Sequence, residues 1–87
     1  MNEKFTEFNI NDTVYVRLTD YGRKCLRLDY DKLEARCGGK LGFSYTPPKE
    51  DEDGWSKWQM WHLMEHLGPH ITLCMDPPFE TIIRLKT

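Results

Sequence analysis

The sequence predicts an α+β domain: a small, mostly antiparallel sheet with two helices packed on one face. Three observations carry that expectation. Residues 13–18 alternate apolar and polar side chains with the period of a half-buried strand. Residues 20–37 carry apolar side chains at helical spacing. Residues 54–69 (GWSKWQMWHLMEHLGP) place helix-start and helix-stop signals around a second apolar stripe. With strand-like runs near the C-terminus the order becomes β-α-(β)-α-β-β, which segregates the helices to one side of the sheet.

Asn11 and Asp12 are turn residues because their side chains bond nearby backbone. Beyond them Val14, Val16 and Leu18 point one way and Tyr15 and Arg17 the other. Thr19 and Asp20 can cap a helix. Leu26, Tyr30, Leu33 and Cys37 then recur at i, i+4, i+7 and i+11, and Tyr21, Cys25 and Leu28 widen the stripe. Arg23, Lys24, Arg27, Asp31 and Glu34 fall on the opposite side, with Arg27 and Asp31 one turn apart. Gly38 and Gly39 end the helix, since glycine accepts the left-handed conformation after a last turn. Gly22 in the first turn costs about 1 kcal/mol against alanine, and it points to a close approach to the preceding strand.

Leu41, Phe43 and Tyr45 alternate, which predicts a short strand within 40–45 stopped by Pro47 and Pro48. Residues 50–53 (EDED) are like charges that repel and stay solvated. Ser56 and Gln59 spell a capping box, and Trp55 and Met60 a hydrophobic staple, so the second helix is expected to begin near Ser56. Met60, Leu63, Met64 and Leu67 form its core stripe, the three tryptophans lie on the flank, and Gly68 and Pro69 close it. Ile71, Leu73 and Met75 predict a strand over 70–75. Asp76, Pro77 and Pro78 turn it into a last strand over 80–85, paired with it as a hairpin.

A chain of 87 residues makes a single domain, 1–87. It buries roughly 60–65% of its unfolded surface, so its core is thin, and a thin core with many aromatics leaves room for a homodimer. Cys25, Cys37 and Cys74 are odd in number and lack CxxC spacing, which argues against a disulfide scaffold. Neither a signal peptide nor a membrane-length apolar run is present, so a cytoplasmic location is expected. The net charge of −2 argues against a nucleic-acid binder. Its distribution is uneven: residues 17–40 carry seven bases and four acids, and residues 41–87 four bases and seven acids. Such bipolarity can steer a partner.

Four constellations bear on chemistry. The acidic loop (Glu50, Asp51, Glu52, Asp53) beside Trp55, Trp58 and Trp61 is the leading partner-binding candidate, because tryptophan dominates interface hot spots and charge steers encounter. Arg23, Arg27 and Tyr30 form an alternative small-ligand site for phosphate and base, without a glycine-rich phosphate loop. His62 and His66, within an H-x-x-E-H match, lie one turn apart as a metal pair requires, and His70 and Cys74 continue the set. A protease of that motif needs a larger scaffold, and solvent-facing histidines explain the spacing. The calcium-loop frame fails: Gly54 at its sixth position puts Lys49 first and Met60 twelfth. No catalytic triad can be picked out, so no enzyme activity, cofactor or resident metal is expected.

Two blocks, residues 8–23 (FNINDTVYVRLTDYGR) and 47–61 (PPKEDEDGWSKWQMW), with the closing PFET at 78–81, resemble a family of small uncharacterised proteins encoded by tailed phages and prophages. The resemblance covers both ends and the middle; the stretch between Leu28 and Ser44 adds little, and His62 and His66 are outside it. It implies action in the cytoplasm of an infected bacterium in an accessory role. The resulting expectation is a non-enzymatic phage protein that binds a host protein, with inhibition of an anti-phage defence component as its purpose. A sponge for a nucleotide immune signal and a small zinc-binding module are the alternatives.

Overall fold

A computed structural model describes residues 3–40, 42, 44–72 and 76–85. Their architecture is α+β. A three-stranded antiparallel sheet of order β2-β1-β3 is formed by β1 (Thr13–Arg17), β2 (Trp55–Gln59) and β3 (Arg84–Leu85), and it carries α1 (Asp20–Arg36) and α2 (Met60–Leu67). A turn leads into β1, where Asp12 N–H donates to Asn9 O and Asn11 N–H to Asn9 Oδ1. The alternation then holds: Val14 and Val16 are fully buried and their neighbours are not. Both helices contribute to one apolar cluster over that face, joining Val14, Val16 and Leu18 to Cys25, Leu26, Trp58, Leu63, Leu67 and Phe79.

Thr19 caps α1 as expected, its Oγ1 accepting from Gly22 N–H at 3.1 Å while donating to Pro77 O at 2.6 Å. Gly38 and Gly39 end the helix with φ of 64° and 77°. The close approach at Gly22 is real, but its partner is the backbone of Pro78 rather than the preceding strand. Only the first half of the apolar stripe is covered: Cys25 and Leu26 are buried, whereas Leu28, Leu33 and Cys37 are exposed. The reason is length. Seventeen helical residues run about 25 Å against about 17 Å for a five-residue strand, so the last turns of α1 outreach the sheet.

The second helix begins three residues later than its capping signals suggest, with Gln59 rather than Ser56 at the N-cap. Residues Trp55–Gln59 are β2, paired with β1 in the register Thr13↔Gln59 to Arg17↔Trp55. Ser56 is not a cap. It is buried, its Oγ donating to Val16 O and accepting from Trp58 Nε1–H at 2.8 Å. Gln59 takes the N-cap position of α2 without a side-chain cap bond. The first helical N–H groups instead find carbonyls of the N-terminal segment: Met60 donates to Asp12 O and Trp61 to Ile10 O. Leu63 and Leu67 fill the core as predicted, Met60 only partly, and Met64 is exposed.

Among the described residues the predicted C-terminal hairpin is not seen. Gly68–His70 is a 3-10 turn, and Ile71 and Thr72 are not in a strand; Leu73, Cys74 and Met75 lie outside the described residues. The last strand pairs instead with β1. Leu18 bridges Phe79 and Tyr15 pairs with Arg84, so five steps along the outer segment face three along β1. The two extra residues bulge outward and leave Ile82 75% exposed. The short strand expected within 40–45 is also not seen at Lys40, Gly42, Ser44 or Tyr45; Leu41 and Phe43 lie outside the described residues.

Candidate functional site

With Val14, Val16, Ser56 and Trp58 turned inward, the pleat places Tyr15, Arg17, Trp55 and Lys57 on the outer face of the sheet. Register adds Arg84 across from Tyr15, and sets Lys57 on its other side and Trp55 beside Arg17. The Arg17 guanidinium carbon lies 4.6 Å from the Trp55 ring centre and that of Arg84 lies 4.0 Å from it, both within cation–π range. Arg17 also pairs loosely with Glu80 at 3.7 Å, while its Nε is buried without a hydrogen-bond acceptor. The bulged segment walls a depression of about 420 Å³ here, lined by Arg17, Trp55, Pro77, Glu80 and Ile82 among others. Three cations and two aromatic rings thus share a face opposite the helix-packed core.

The acidic loop is less free than its composition suggests. Both oxygens of Glu50 accept from Arg23, at 3.1 and 2.7 Å, and Arg23 also reaches Asp20 at 2.8 Å. The bond to Glu50 is the main reason the Arg23 pKa is raised. Asp51 Oδ1 accepts from Asp53 N–H and Trp55 N–H, and Gly54 at φ 87° completes the turn into β2. All four acidic residues are exposed, with Glu52 and Asp53 at the tip of the turn. Glu50→Gln is expected to lower stability by no more than about 1 kcal/mol, less at high salt, because the pair is partly solvated. Urea denaturation at two ionic strengths measures this.

The tryptophans separate. Trp55 stands on the outer face, Trp58 is only 8% exposed and belongs to the core, and Trp61 is 42% exposed on α2. Trp58 is therefore corrected from contact residue to core residue: as an inward-facing position of β2 it has no access to a partner. β2 is about 17 Å long, so Trp61 and the acidic loop lie at opposite ends of it and form no common patch.

The alternative ligand residues are engaged with one another and with acids. Arg27 pairs with Asp31 at 3.3 Å and lies over the rings of Tyr45 and Tyr30, which are 5.4 Å apart. Burial raises the Tyr45 pKa, opposed by the nearby Arg27 charge. Arg23, Lys24, Arg27 and Leu28 line a wide-open depression rather than a pocket. Of the metal set, His62 and His66 come together with ring centres 4.4 Å apart. His70 does not join them, because its Nε2 lies 2.9 Å from Asp29 Oδ2 and ties the 3-10 turn after α2 to α1. Cys74 lies outside the described residues.

Tyr15, Arg17, Lys57 and Arg84 are the surface residues that sequence reasoning did not single out. The alternation of Ser56 and Trp58 against Lys57 and Gln59 was the available signal, masked by the capping-box pattern on the same residues. No protein-family model, curated protein or solved structure matches the chain, so the site is read from its own geometry. No helix among the described residues is long and apolar enough to cross a membrane.

Proposed function

We propose that the chain is a non-enzymatic accessory protein of a tailed phage that acts by binding a host protein, with a component of anti-phage defence as its target. The phage setting rests on the resemblance of residues 8–23 and 47–61 described above. The contact surface is the outer sheet face around Trp55. One observation carries this reading: an indole flanked by two guanidiniums on a face that neither helix covers. Tryptophan and arginine are the residues most enriched at binding hot spots. Their mutual stacking restrains long side chains before contact, which reduces the ordering cost of docking. Arg17, Lys57 and Arg84 favour a partner surface bearing carboxylates, and their charge would raise its encounter rate.

A Trp55→Ala/Arg84→Glu double variant tests the reading. Purified tagged protein is incubated with host lysate, with circular dichroism confirming the fold. Recovery of the partner captured by wild type is expected to fall about tenfold or more, while Trp61→Ala retains it. Equal recovery by the folded double variant removes the surface assignment.

A further inference from the structure

On the far side of the molecule from Trp55, α2 carries a second constellation. We propose that His62, Glu65 and His66 form a site for a divalent ion of the zinc class, with three protein ligands and an open coordination position. The helix itself brings the three together. At about 100° per residue, positions 62, 65 and 66 fall within an arc of about 100° on one face. In the folded chain the ligand atoms of all three already lie within 4.8 Å of one another. A tetrahedral ion with bonds of about 2.0–2.1 Å holds its ligand atoms about 3.4 Å apart. Closing that difference takes roughly an ångström of movement, within the reach of side-chain rotations alone because Glu65 is exposed and both imidazoles are half-buried.

The surroundings favour an ordered site. The His62 ring lies 5.6 Å from Trp58 and 5.3 Å from Trp61, and the His66 ring lies 6.3 Å from Trp58. Trp58 is fixed in the core and held through its Nε1–H by Ser56, so the imidazoles rest against a rigid wall. Two imidazole nitrogens and one carboxylate oxygen suit zinc, nickel or copper, whereas calcium and magnesium call for oxygen sets. The fourth position faces water on the side of exposed Glu65. Binding also bears on the fold. At eight residues and without a side-chain cap bond, α2 is too short to be stable alone, and an ion bridging its successive turns holds it closed.

The untagged full-length protein, stripped with chelator and titrated with zinc chloride by calorimetry, is expected to bind one equivalent. Zinc at a hundredfold excess over Kd is expected to raise the thermal midpoint by about 10 °C or more. His62→Ala and His66→Ala are each expected to weaken binding about a hundredfold and Glu65→Gln about tenfold, with the thermal shift lost in the histidine variants. His70→Ala leaves zinc affinity unchanged, since that ring is engaged by Asp29. An absence of saturable binding overturns the site, as does binding that survives His62→Ala or is lost with His70→Ala. Binding that is indifferent to Glu65→Gln overturns the three-ligand set.

Discussion

Trp58→Ala is expected to destabilise the fold by about 3–5 kcal/mol, while Trp61→Ala leaves it nearly as stable as wild type. Trp58 is 8% exposed and contacts the cluster built from β1, α1 and α2. Truncating a core aromatic costs about 3–5 kcal/mol through lost burial and the cavity left behind. At about 0.05–0.15 kcal/mol per residue, a chain of 87 residues has about 4–13 kcal/mol to lose, so this one change removes a large share of its stability. The loss is compounded at Ser56, whose buried Oγ gives up the indole N–H that it accepts. Trp58→Phe restores most of the volume but not that bond, and is expected to cost about 1–3 kcal/mol. Trp61, 42% exposed, loses under about 1 kcal/mol on truncation. Far-UV circular dichroism and urea midpoints of the three variants decide the matter. A Trp58→Ala protein as stable as Trp61→Ala would place Trp58 on the surface and restore it to the binding candidates.

This contrast marks where local sequence rules hold and where they fail. β1, the Thr19 cap and the glycine stop of α1 were legible because each is determined within a few residues: an alternation, a hydroxyl over a helix start, a left-handed turn. The capping box at Ser56 and Gln59 was equally local, yet long-range pairing with β1 overrode it and turned the same residues into a strand. A buried serine disguised that strand, since Ser56 reads as a polar position while serving as an inward one. The C-terminal segment was read as half of a hairpin because a neighbouring run looked strand-like; its actual partner, β1, is remote in sequence. The candidate face divides in the same way. Trp55 was visible, but Arg17 and Arg84 lie 38 residues before it and 29 after it, and only the register of the sheet brings them to its ring. His62, Glu65 and His66 needed no such help, because helical spacing alone aligns them.

Gly22→Ala sets the same two levels of reasoning against each other, with opposite signs. Helix propensity alone favours alanine by about 1 kcal/mol at this first-turn position. The fold opposes it strongly. A Cβ at residue 22 would stand 1.8 Å from Pro78 O, 2.7 Å from its carbonyl carbon and 3.1 Å from its Cα, all backbone atoms with no side-chain freedom to yield. Nor can that backbone retreat easily. Pro78 O accepts from Thr19 N–H, Pro77 O from the Thr19 hydroxyl, and the next residues join β1 through the Leu18–Phe79 bridge and Glu80 N–H to Arg17 O. Moving α1 away instead would open the contacts of Cys25 and Leu26 with the core. The expected result is a loss of about 3 kcal/mol or more, at the upper end of overpacking effects. Gly68→Ala is the comparison: apart from its chain neighbours, the nearest contacts to an added Cβ are at 3.9 Å, and only the following Pro69 disfavours a helical alanine there, so its cost is expected to be well below that of Gly22→Ala. Urea midpoints of the two variants measure the difference. A raised midpoint for Gly22→Ala would mean that α1 does not abut Pro78. The segment carrying Pro77, Glu80 and Ile82 would then lose its anchor beside Trp55, and the depression on the outer face would lose its wall.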